Sequence, residues 1–495
     1  MYESKCVIPR SHRGEEESIL SNKMSKFYIT TAIPYVNAAP HLGFALEAVQ
    51  ADAVARYHRL LGSNVFFASG TDENSLKNVQ AAEAEDTPVK ELVDKYASRF
   101  QDLKQTLNLT YDVFNRTANE HHIKGAQKFW NSCKKEDIYK KSYSGLYCVG
   151  CEEFYTEEEL IEGHCPEHPN IIPDQVSEEN YFFKLTNYQK QIEELIETDK
   201  LKIVPDTRKN EVLSFIKQGL KDFSISRSVE RAKGWGVPIP DDPSQVMFVW
   251  FDALTTYLTA LGYGTDEELF NKYWDKDTKK IHVIGKGIIR FHSVYWIAML
   301  LSAGLPLPNI EFVHGYITVN GQKISKSLGN VIDPFVIVKK YGTDATRFYL
   351  LKEIPAYADG DFSEDRFKEV YNADLANGLG NLVSRVAKLC EQNNVEATLG
   401  SNVWCTDLEK FMGEFKFNEA LSVIWKLISE ADKKINQEKP WELSGDKLKA
   451  VLEDLVKRIQ AIVYNLRPFL PETAEKISKQ FSGQIKSDKP LFPRI

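Results

Sequence analysis

The sequence predicts an α/β protein with a doubly wound parallel sheet, interrupted by an insertion and followed by an all-α helix bundle. Three observations support this. An apolar strand at 26–33 runs through a turn rich in Pro, Asn and Gly into a helix; a second strand and helix of the same kind span 282–303; and the pattern is helical from about residue 364 onward. Strand, turn, helix and strand in succession form a βαβ unit, which requires parallel strands.

The first βαβ unit is the clearest. Its helix is predicted from about residue 43 to residue 60, because Ala48, Ala51 and Ala55 recur at helical spacing. The apolar run 65–68 then returns to the sheet as a short strand. Parallel strands joined in this way predict a Rossmann-type domain.

Between the two βαβ units, the alternation of strands and helices stops, and cysteines and a histidine cluster together. We therefore expect an insertion within the Rossmann-type domain. The predicted segments are a disordered extension (1–23), the first half of the Rossmann-type catalytic domain (24–117), a connective insertion (118–222), the second half (223–320), a region with a lysine loop (321–363) and an α-helical domain (364–495).

Composition excludes several classes of protein. The chain has 495 residues, 43% of them hydrophobic, and a formal charge of −8. This length allows several domains with their own cores, and the acidity argues against a non-specific nucleic-acid coat. No run of about 18 uncharged apolar residues is present, so we expect no transmembrane helix. The first 23 residues lack the apolar segment of a secretory signal and contain three consecutive glutamates, so we expect a cytoplasmic protein.

The cysteines predict a metal site. Cys148-x-x-Cys151 and Cys165-x-x-His168 form two close pairs, which is a four-ligand zinc pattern, although scattered free thiols are the alternative. No ligand position is left open, so we expect one structural zinc ion in a knuckle rather than a catalytic metal. The four remaining cysteines, expected to be inert, are Cys6, Cys133, Cys390 and Cys405.

Two short strings indicate nucleotide chemistry. Residues 34–43 read PYVNAAPHLG and put His41 at a helix N-terminus, where its ring and the backbone amides can face phosphate oxygens. Residues 323–327 read KISKS, a loop that offers two lysines and two serines to phosphates. An exposed basic loop explains the second string equally well when it is taken alone.

Together, and in this order, the two strings resemble the two signatures of class I aminoacyl-tRNA synthetases. The neighbouring residues resemble the methionyl-tRNA synthetase family more closely, and the resemblance covers residues 24–495. The residues that carry it are Tyr35, Asn37, Trp250-Phe251-Asp252-Ala253, Phe291-His292-Ser293 and Pro440-Trp441. It implies ATP-dependent ligation of L-methionine to its elongator and initiator tRNAs through methionyl-adenylate, for translation, with Mg²⁺ accompanying ATP.

The resemblance also implies the site residues. The catalytic ones would be His41, Lys323 and Lys326; the ATP site adds Gly43, Lys286, Ser325 and Ser327. The methionine pocket would consist of Ile33, Tyr35, Asp72, Arg227, Trp250, Ala253, Leu254, Tyr257, Ile288 and His292. In it, Tyr35 and His292 would donate towards the sulfur, and Asp72, held by Arg227, would bind the ammonium group. The anticodon would be read by Asn381, Arg385 and Trp441, although a buried role in the bundle is an alternative for the tryptophan.

Three positions depart from the family pattern. Phe44 stands where the first signature usually ends in histidine, Asn74-Ser75 replaces His-Gly, and Gly287 replaces an aspartate. Two other readings therefore stay open: another small class I synthetase, such as the cysteine enzyme, and a zinc-containing RNA-binding relative that no longer activates amino acids. The family's appended C-terminal tRNA-binding domain is not expected, so we predict a monomer.

Overall fold

The computed structural model describes residues 25–150, 153–324, 329–397 and 404–495; the predicted extension at 1–23 lies outside them. The strands in this part of the chain are β1 Lys26–Thr31, β2 Asn64–Thr71, β3 Val113–Arg116, β4 Ile138–Cys148, β5 Glu153–Tyr155, β6 Asp174–Phe183, β7 Lys202–Val204, β8 Phe223–Ser224, β9 Ser226–Ser228, β10 Pro238–Ile239, β11 Asp242–Met247, β12 Lys279–Gly285, β13 Ile310–His314, β14 Ile317–Val319, β15 Gln322–Lys323, β16 Gly360–Asp361, β17 Glu396–Ala397 and β18 Gly483–Gln484.

The α-helices are α1 Leu42–Leu60, α2 Leu76–Ala84, α3 Val89–Thr106, α4 Glu120–Ser132, α5 Gln189–Glu197, α6 Asp206–Lys217, α7 Val249–Thr259, α8 Glu268–Tyr273, α9 Ile297–Ala303, α10 Pro334–Tyr341, α11 Thr343–Lys352, α12 Glu364–Val370, α13 Asn381–Gln392, α14 Thr406–Gly413, α15 Phe417–Glu438, α16 Gly445–Leu466 and α17 Pro471–Gln480. Two segments, Phe291–Trp296 and Tyr371–Gly380, have the wider turns of a π-helix. None of the described helices is both long and apolar enough to cross a bilayer.

The central sheet has six parallel strands in the order β3-β2-β1-β12-β13-β7. Its middle strands are almost entirely buried, because helices cover both faces of a parallel sheet. The winding direction reverses between β1 and β12, and a doubly wound sheet opens a crevice at the carboxyl ends of the strands at such a point. The predicted doubly wound parallel sheet is therefore confirmed.

Helix α1 begins one residue earlier than predicted and ends at the predicted residue, Leu60. Gly62 follows in the left-handed region with φ +83°, a conformation that terminates many helices. Strand β1 ends at Thr31, two residues before the predicted limit. The helix predicted in the second half of 282–303 is continuous but changes from wide turns to α-helix at Ile297.

The insertion contains a four-stranded antiparallel sheet in the order β5-β4-β6-β8, built around the long pair β4 and β6. The predicted insertion, 118–222, also contains β7, which joins the edge of the parallel sheet beside β13. A strand of three residues carries no periodic signal, so the sequence could not separate it from its surroundings. The other predicted domain limits stay predictions.

The C-terminal part is helical, as predicted, apart from the short pair of β17 and β18. Helix α13 buries a stripe at helical spacing, formed by Leu382, Val383, Val386, Ala387 and Cys390. This stripe belongs to a core that also contains α1 residues, so one apolar cluster runs from the sheet into the bundle.

Candidate active site

A cavity of about 450 Å³ lies at the point where the sheet reverses its winding. Its walls come from the segments that follow β1 and β12, from one face of α7 and from the N-terminus of α1. The residues predicted for the two ligands that line it are Ile33, Tyr35, His41, Gly43, Asp72, Trp250, Ala253, Leu254, Tyr257, Ile288 and His292. The fold thus brings most of the predicted site residues into one cavity.

His41 is the N-cap of α1. Its backbone is extended, and its Nδ1 accepts a hydrogen bond of 3.0 Å from the backbone N–H of Gly43. Because Nδ1 accepts, the proton of the neutral ring sits on Nε2. The ring therefore presents an N–H donor beside the amides of a helix N-terminus, which is an arrangement suited to phosphate oxygens.

Gly43 is required by this arrangement. A Cβ at this position would lie 2.9 Å from Cε1 of His41, closer than side chains normally approach. Phe44, next in the chain, lines the cavity and packs edge-on against Phe100 with 5.1 Å between ring centroids. Phenylalanine offers no hydrogen bond to phosphate at the place where the family pattern has histidine.

Lys286 follows β12, and its Nζ donates to Asp359 over 2.7 Å. It also lies 4.6 Å from the ring centroid of Tyr316. A Cβ at Gly287 would lie 2.1 Å from the Tyr316 hydroxyl. The space that a side chain at position 287 would enter is therefore filled by Tyr316, and burial raises the pKa of this phenol to about 12.

One face of α7 forms the apolar wall, as the sequence predicts: Trp250, Ala253, Leu254 and Tyr257 all line the cavity. The ring of Trp250 is stacked on Phe291, with 3.7 Å between centroids and 6° between planes. Phe291 belongs to the wide-turn segment Phe291–Trp296, so this segment supports the wall from behind.

His292 also belongs to this segment and is held at both ring nitrogens. Nδ1 lies 2.9 Å from the carbonyl oxygen of Ile288, and Nε2 lies 2.7 Å from the hydroxyl of Tyr257. Burial lowers the pKa of His292 to about 4, so the ring is neutral; Nδ1 donates to the carbonyl and Nε2 accepts from the tyrosine. The predicted donation from His292 to a sulfur therefore does not fit this geometry, and the ring acts as a wall of the cavity.

Asp72 is almost fully buried in the cavity lining, and its Oδ1 accepts from the backbone N–H of Asn74. Arg227, on β9, donates to the hydroxyl of Tyr147 over 2.8 Å and is not among the residues that line the cavity. The predicted support of Asp72 by Arg227 stays a prediction.

The second departure from the family pattern has a structural role. Asn74 donates to Asp252 over 2.7 Å, and the other oxygen of this carboxylate lies 2.6 Å from Nε2 of His122. Ser75 caps α2 by accepting from the backbone N–H of Lys77. Asn74 and Ser75 thus hold the turn after β2, which carries Asp72, in place.

His314 and Glu47 are two of the cavity residues that sequence reasoning missed. His314 ends β13, and its Nε2 lies 2.9 Å from Glu47 on α1. The second oxygen of Glu47 accepts from the backbone N–H of Ala32, directly after β1. The rule that ligands bind at the carboxyl ends of parallel strands would have found His314, because it is the last residue of its strand.

Part of the lysine loop lies outside the described residues. Lys323 ends the two-residue strand β15, which pairs with β14. The described chain stops at residue 324 and resumes at 329, so the predicted Ser325, Lys326 and Ser327 are not covered.

Three of the four predicted metal ligands lie together. The ligand atoms of Cys148, Cys165 and His168 all fall within 4.8 Å of one another, and both cysteines are fully buried. Two thiols and an imidazole are the ligands that zinc prefers, so the residues fit the ion. Cys151 lies outside the described residues. A surface cavity lined by His168 and Gly150 shares Asn37 with the large cavity, so the cluster lies beside the candidate active site.

The predicted anticodon residues lie on the bundle. Asn381 begins α13 and is exposed, while Arg385 donates to Asp432 and Asn436 of α15. Trp441 is 57% exposed, so the alternative of a buried bundle residue is wrong. An exposed tryptophan on a helical domain suits stacking against an unpaired base.

A sheet wound in this way, with a histidine-led helix facing the cavity at its carboxyl edge, places the protein among the class I aminoacyl-tRNA synthetases. A match to a known protein family shows which member of this class the chain resembles. Residues 27–171 and 169–387 match the family described as tRNA synthetases class I (M), and the chain belongs to this methionyl family.

Similar sequences and solved structures also belong to the methionyl family. The chain is 42% identical to the methionine–tRNA ligase of Thermotoga maritima, covering 94% of this chain and 76% of the relative. The ligase of Nostoc sp. is 41% identical, with 94% and 92% covered. The methionyl-tRNA synthetase of Mycobacterium tuberculosis in complex with methionyl-adenylate superposes with a TM-score of 0.88 at 34% identity, covering 95% of this chain and 100% of that one. For the free-state structure of the same enzyme the TM-score is 0.80.

Proposed function

We propose that the protein activates L-methionine with ATP and transfers it to elongator and initiator tRNA. Membership of the methionyl family supports the reaction, and one observation carries the argument from structure. A single cavity has an apolar end formed by α7 and a phosphate-binding end formed by His41 and the N-terminus of α1. The two reactants of an adenylation would meet where these ends join.

In the first step a carboxylate oxygen of methionine attacks the α-phosphorus of ATP. The new bond is the acyl–phosphate bond of methionyl-adenylate. The bond between the α-phosphorus and the oxygen that bridges it to the β-phosphorus breaks, and its electron pair leaves with pyrophosphate. Positioning and charge neutralisation are the main contributions of a protein to such a transfer. The phosphates would be faced by Nε2–H of His41, by the backbone amides of α1 and by Lys286. The lysine loop would add the positive charges of Lys323 and Lys326. Mg²⁺ bound with ATP would add positive charge.

The apolar end suits methionine, which is long, unbranched and soft. The walls are flat surfaces that a branched side chain would not fit, and they are formed by Trp250, Ala253, Leu254 and Tyr257. Asp72, almost fully buried in the cavity lining, would pair with the substrate ammonium group, and Tyr35 would lie beside the thioether. Leucine and isoleucine would be excluded chiefly because their side chains are branched.

Zinc would be structural. Cys148, Cys165 and His168, together with Cys151, would hold one ion that braces the insertion beside the cavity. The clustering of cysteines with a histidine suits metal binding by thiolates, which favours a reducing compartment such as the cytoplasm. Asn381, Arg385 and Trp441 would contact the anticodon. We propose that the protein acts as a monomer, and a dimer in solution scattering would contradict this.

Amino-acid-dependent exchange between ATP and pyrophosphate tests the proposal. Purified, zinc-loaded protein is assayed with methionine, cysteine, leucine and valine, and the same preparation is then tested for tRNA charging. Exchange with methionine alone, followed by charging, is the expected result. Exchange with cysteine would favour a different small synthetase. Folded protein that binds tRNA without any exchange would favour an RNA-binding relative.

A further inference from the structure

Glu311 is a carboxyl group of the parallel sheet that the reaction scheme does not use. It lies on β13, is fully buried, and is the register partner of His282 on β12. Side chains of register partners leave a parallel sheet on the same face. Its Oε2 accepts a hydrogen bond from the hydroxyl of Ser293, which is also fully buried.

Ser293 belongs to the wide-turn segment Phe291–Trp296. The residue before it, His292, holds the hydroxyl of Tyr257, and the first residue of the segment, Phe291, is stacked on Trp250. Both contacts reach the wall of the amino-acid pocket. Wide helical turns are less favourable than α-helical ones and occur frequently at functional sites, so they need a contact that holds them.

We propose that Glu311 is a positioning residue of the amino-acid pocket. Through Ser293 its carboxyl group holds the wide turns in the register that sets Phe291 behind Trp250 and His292 against Tyr257. This inference depends on the proposed methionine activation and deepens it, since it identifies a residue behind the wall on which methionine affinity depends.

The state of the carboxyl group follows from its surroundings. Burial raises the pKa of Glu311 to about 8, and the hydrogen bond from Ser293 lowers it only in part. Among the described residues no cation is paired with it, and its second oxygen has no hydrogen-bond partner. The neutral form therefore holds the segment at neutral pH, and above about pH 8 an unpaired buried charge would disturb it.

Other ionisable groups face the same region. His282 on β12 stays neutral because burial lowers its pKa well below the ordinary value, and on α7 burial raises the pKa of Tyr257 well above its own. On β7 the register partner, Ile203, is apolar. Lys280, two residues before His282, has a pKa lowered by burial to about 8, but its ammonium group donates to carbonyl oxygens of Asp275 and Thr278. Lys280 titrates in wild type and in every variant alike, so its effect cancels when their pH profiles are compared.

The test measures the KM for methionine in pyrophosphate exchange across pH for wild type and Glu311→Gln. Glutamine keeps the size and an acceptor for Ser293 but cannot ionise. We expect similar values near pH 7 and a ratio, wild type over variant, that grows about tenfold per pH unit above the pKa of Glu311. Titration of Lys280 and of methionine itself is common to both proteins. A ratio that stays constant with pH would overturn the proposal.

Two further variants test the route through Ser293. Ser293→Ala removes the hydrogen bond through which Glu311 acts and which lowers its pKa, so the KM for methionine should rise several-fold at neutral pH, and its further rise with pH should begin at a higher pH than in wild type. Glu311→Leu removes the acceptor, so the KM for methionine should rise several-fold at every pH while kcat at saturating methionine changes little. An unshifted pH profile in the first variant, or an unchanged KM in the second, would contradict the positioning role.

A measurement without substrate separates this inference from the proposed function. The unfolded chain ionises Glu311 near its ordinary pKa of 4.5 and the folded chain near 8, so wild type loses stability relative to Glu311→Gln as pH rises through this window. The difference in Tm should widen from about pH 5 to about pH 8. A constant difference would contradict the assignment of the buried carboxyl, even if no amino acid were activated.

Discussion

The carboxylate of Asp52 and the guanidinium of Arg347 form an ion pair of 2.8 Å with both side chains fully buried. Asp52 lies on α1, about three turns beyond His41, and Arg347 lies on α11. Arg347 also donates to the carbonyl oxygens of Pro468 and Phe469, just before α17. The helix that would face ATP is thereby tied to the C-terminal bundle.

We expect Arg347→Met to destabilise the protein by about 3–5 kcal/mol, because it leaves a buried carboxylate without its main partner. Burial opposes ionisation of Asp52, yet Arg347 and Arg56 outweigh it and lower the pKa of this carboxyl. The contribution of the pair is therefore present above the ordinary carboxyl pKa and is lost as pH falls through the lowered one. Urea unfolding at neutral pH measures the loss.

The matched control is Arg366→Met, which removes an exposed guanidinium from its pairs with Glu353 and Glu369. Exposed pairs contribute about 0–1 kcal/mol, so this variant should unfold close to wild type. Equal midpoints for the two variants would contradict the role of the buried pair.

Gly43→Ala should slow adenylate formation. The new Cβ would lie 2.9 Å from Cε1 and 3.0 Å from Nδ1 of His41, so the imidazole must move and lose its bond to the backbone. We expect the exchange rate to fall about tenfold to a hundredfold, since a displaced donor acts like a missing one. Gly413→Ala is the control, because nothing lies within 4 Å of its added Cβ. If both variants exchange at the wild-type rate, His41 does not act as proposed.

Phe44→His should raise turnover. The phenyl ring of the wild type lines the cavity and cannot donate a hydrogen bond. The loss of one donor typically lowers the rate by about 10²–10³. We expect kcat to rise by up to about tenfold. The rise is smaller than the cost of a missing donor, because Phe100 packs against the side chain at position 44 and limits how the new imidazole is oriented. Phe44→Leu, which adds no donor, controls for changes in packing. An unchanged or lower kcat in the histidine variant would refute the hypothesis.

Cys165→Ser should lower the zinc content. Wild type is expected to carry about one zinc ion per chain, since Cys165, Cys148 and His168 already form three corners of a tetrahedral site. Atomic emission spectrometry on dialysed protein measures the content. Cys390→Ala, which removes a buried free thiol from the bundle, should keep the full content. Zinc-free wild type that is folded and active would contradict the proposed site.

Trp441→Ala should raise the KM for tRNA about fivefold to a hundredfold, because stacking of a base on an aromatic ring contributes about 1–3 kcal/mol. Pyrophosphate exchange without tRNA should stay at the wild-type rate, since Trp441 lies on the bundle. Leu269→Ala, another exposed apolar residue, should leave charging unchanged. Wild-type charging kinetics in the tryptophan variant would show that the exposed ring does not contact tRNA.

The sequence predicted the elements whose signal is local. The strand, turn and helix around His41 follow one another within residues 26–60, so periodicity was enough to place them. The cavity residues of α7 were found through the family resemblance. The paired cysteines and histidine likewise carry their spacing in the chain. The edge strand β7 was missed because a strand of three residues has no period, and its place beside β13 comes from long-range pairing.

By itself, the sequence determined the fold class and the family, because strand and helix periods and signature strings are each contained in short runs of consecutive residues. Through the resemblance, those strings also implied most of the residues that line the cavity. Tertiary structure alone decided the roles that depend on distant neighbours. Tyr316 fills the space beside Gly287, Tyr257 and a carbonyl oxygen occupy both nitrogens of His292, and Glu311 lies behind the pocket wall. Such contacts arise when packing brings together segments whose separation in sequence carries no signal, and burial then sets the charge of each group.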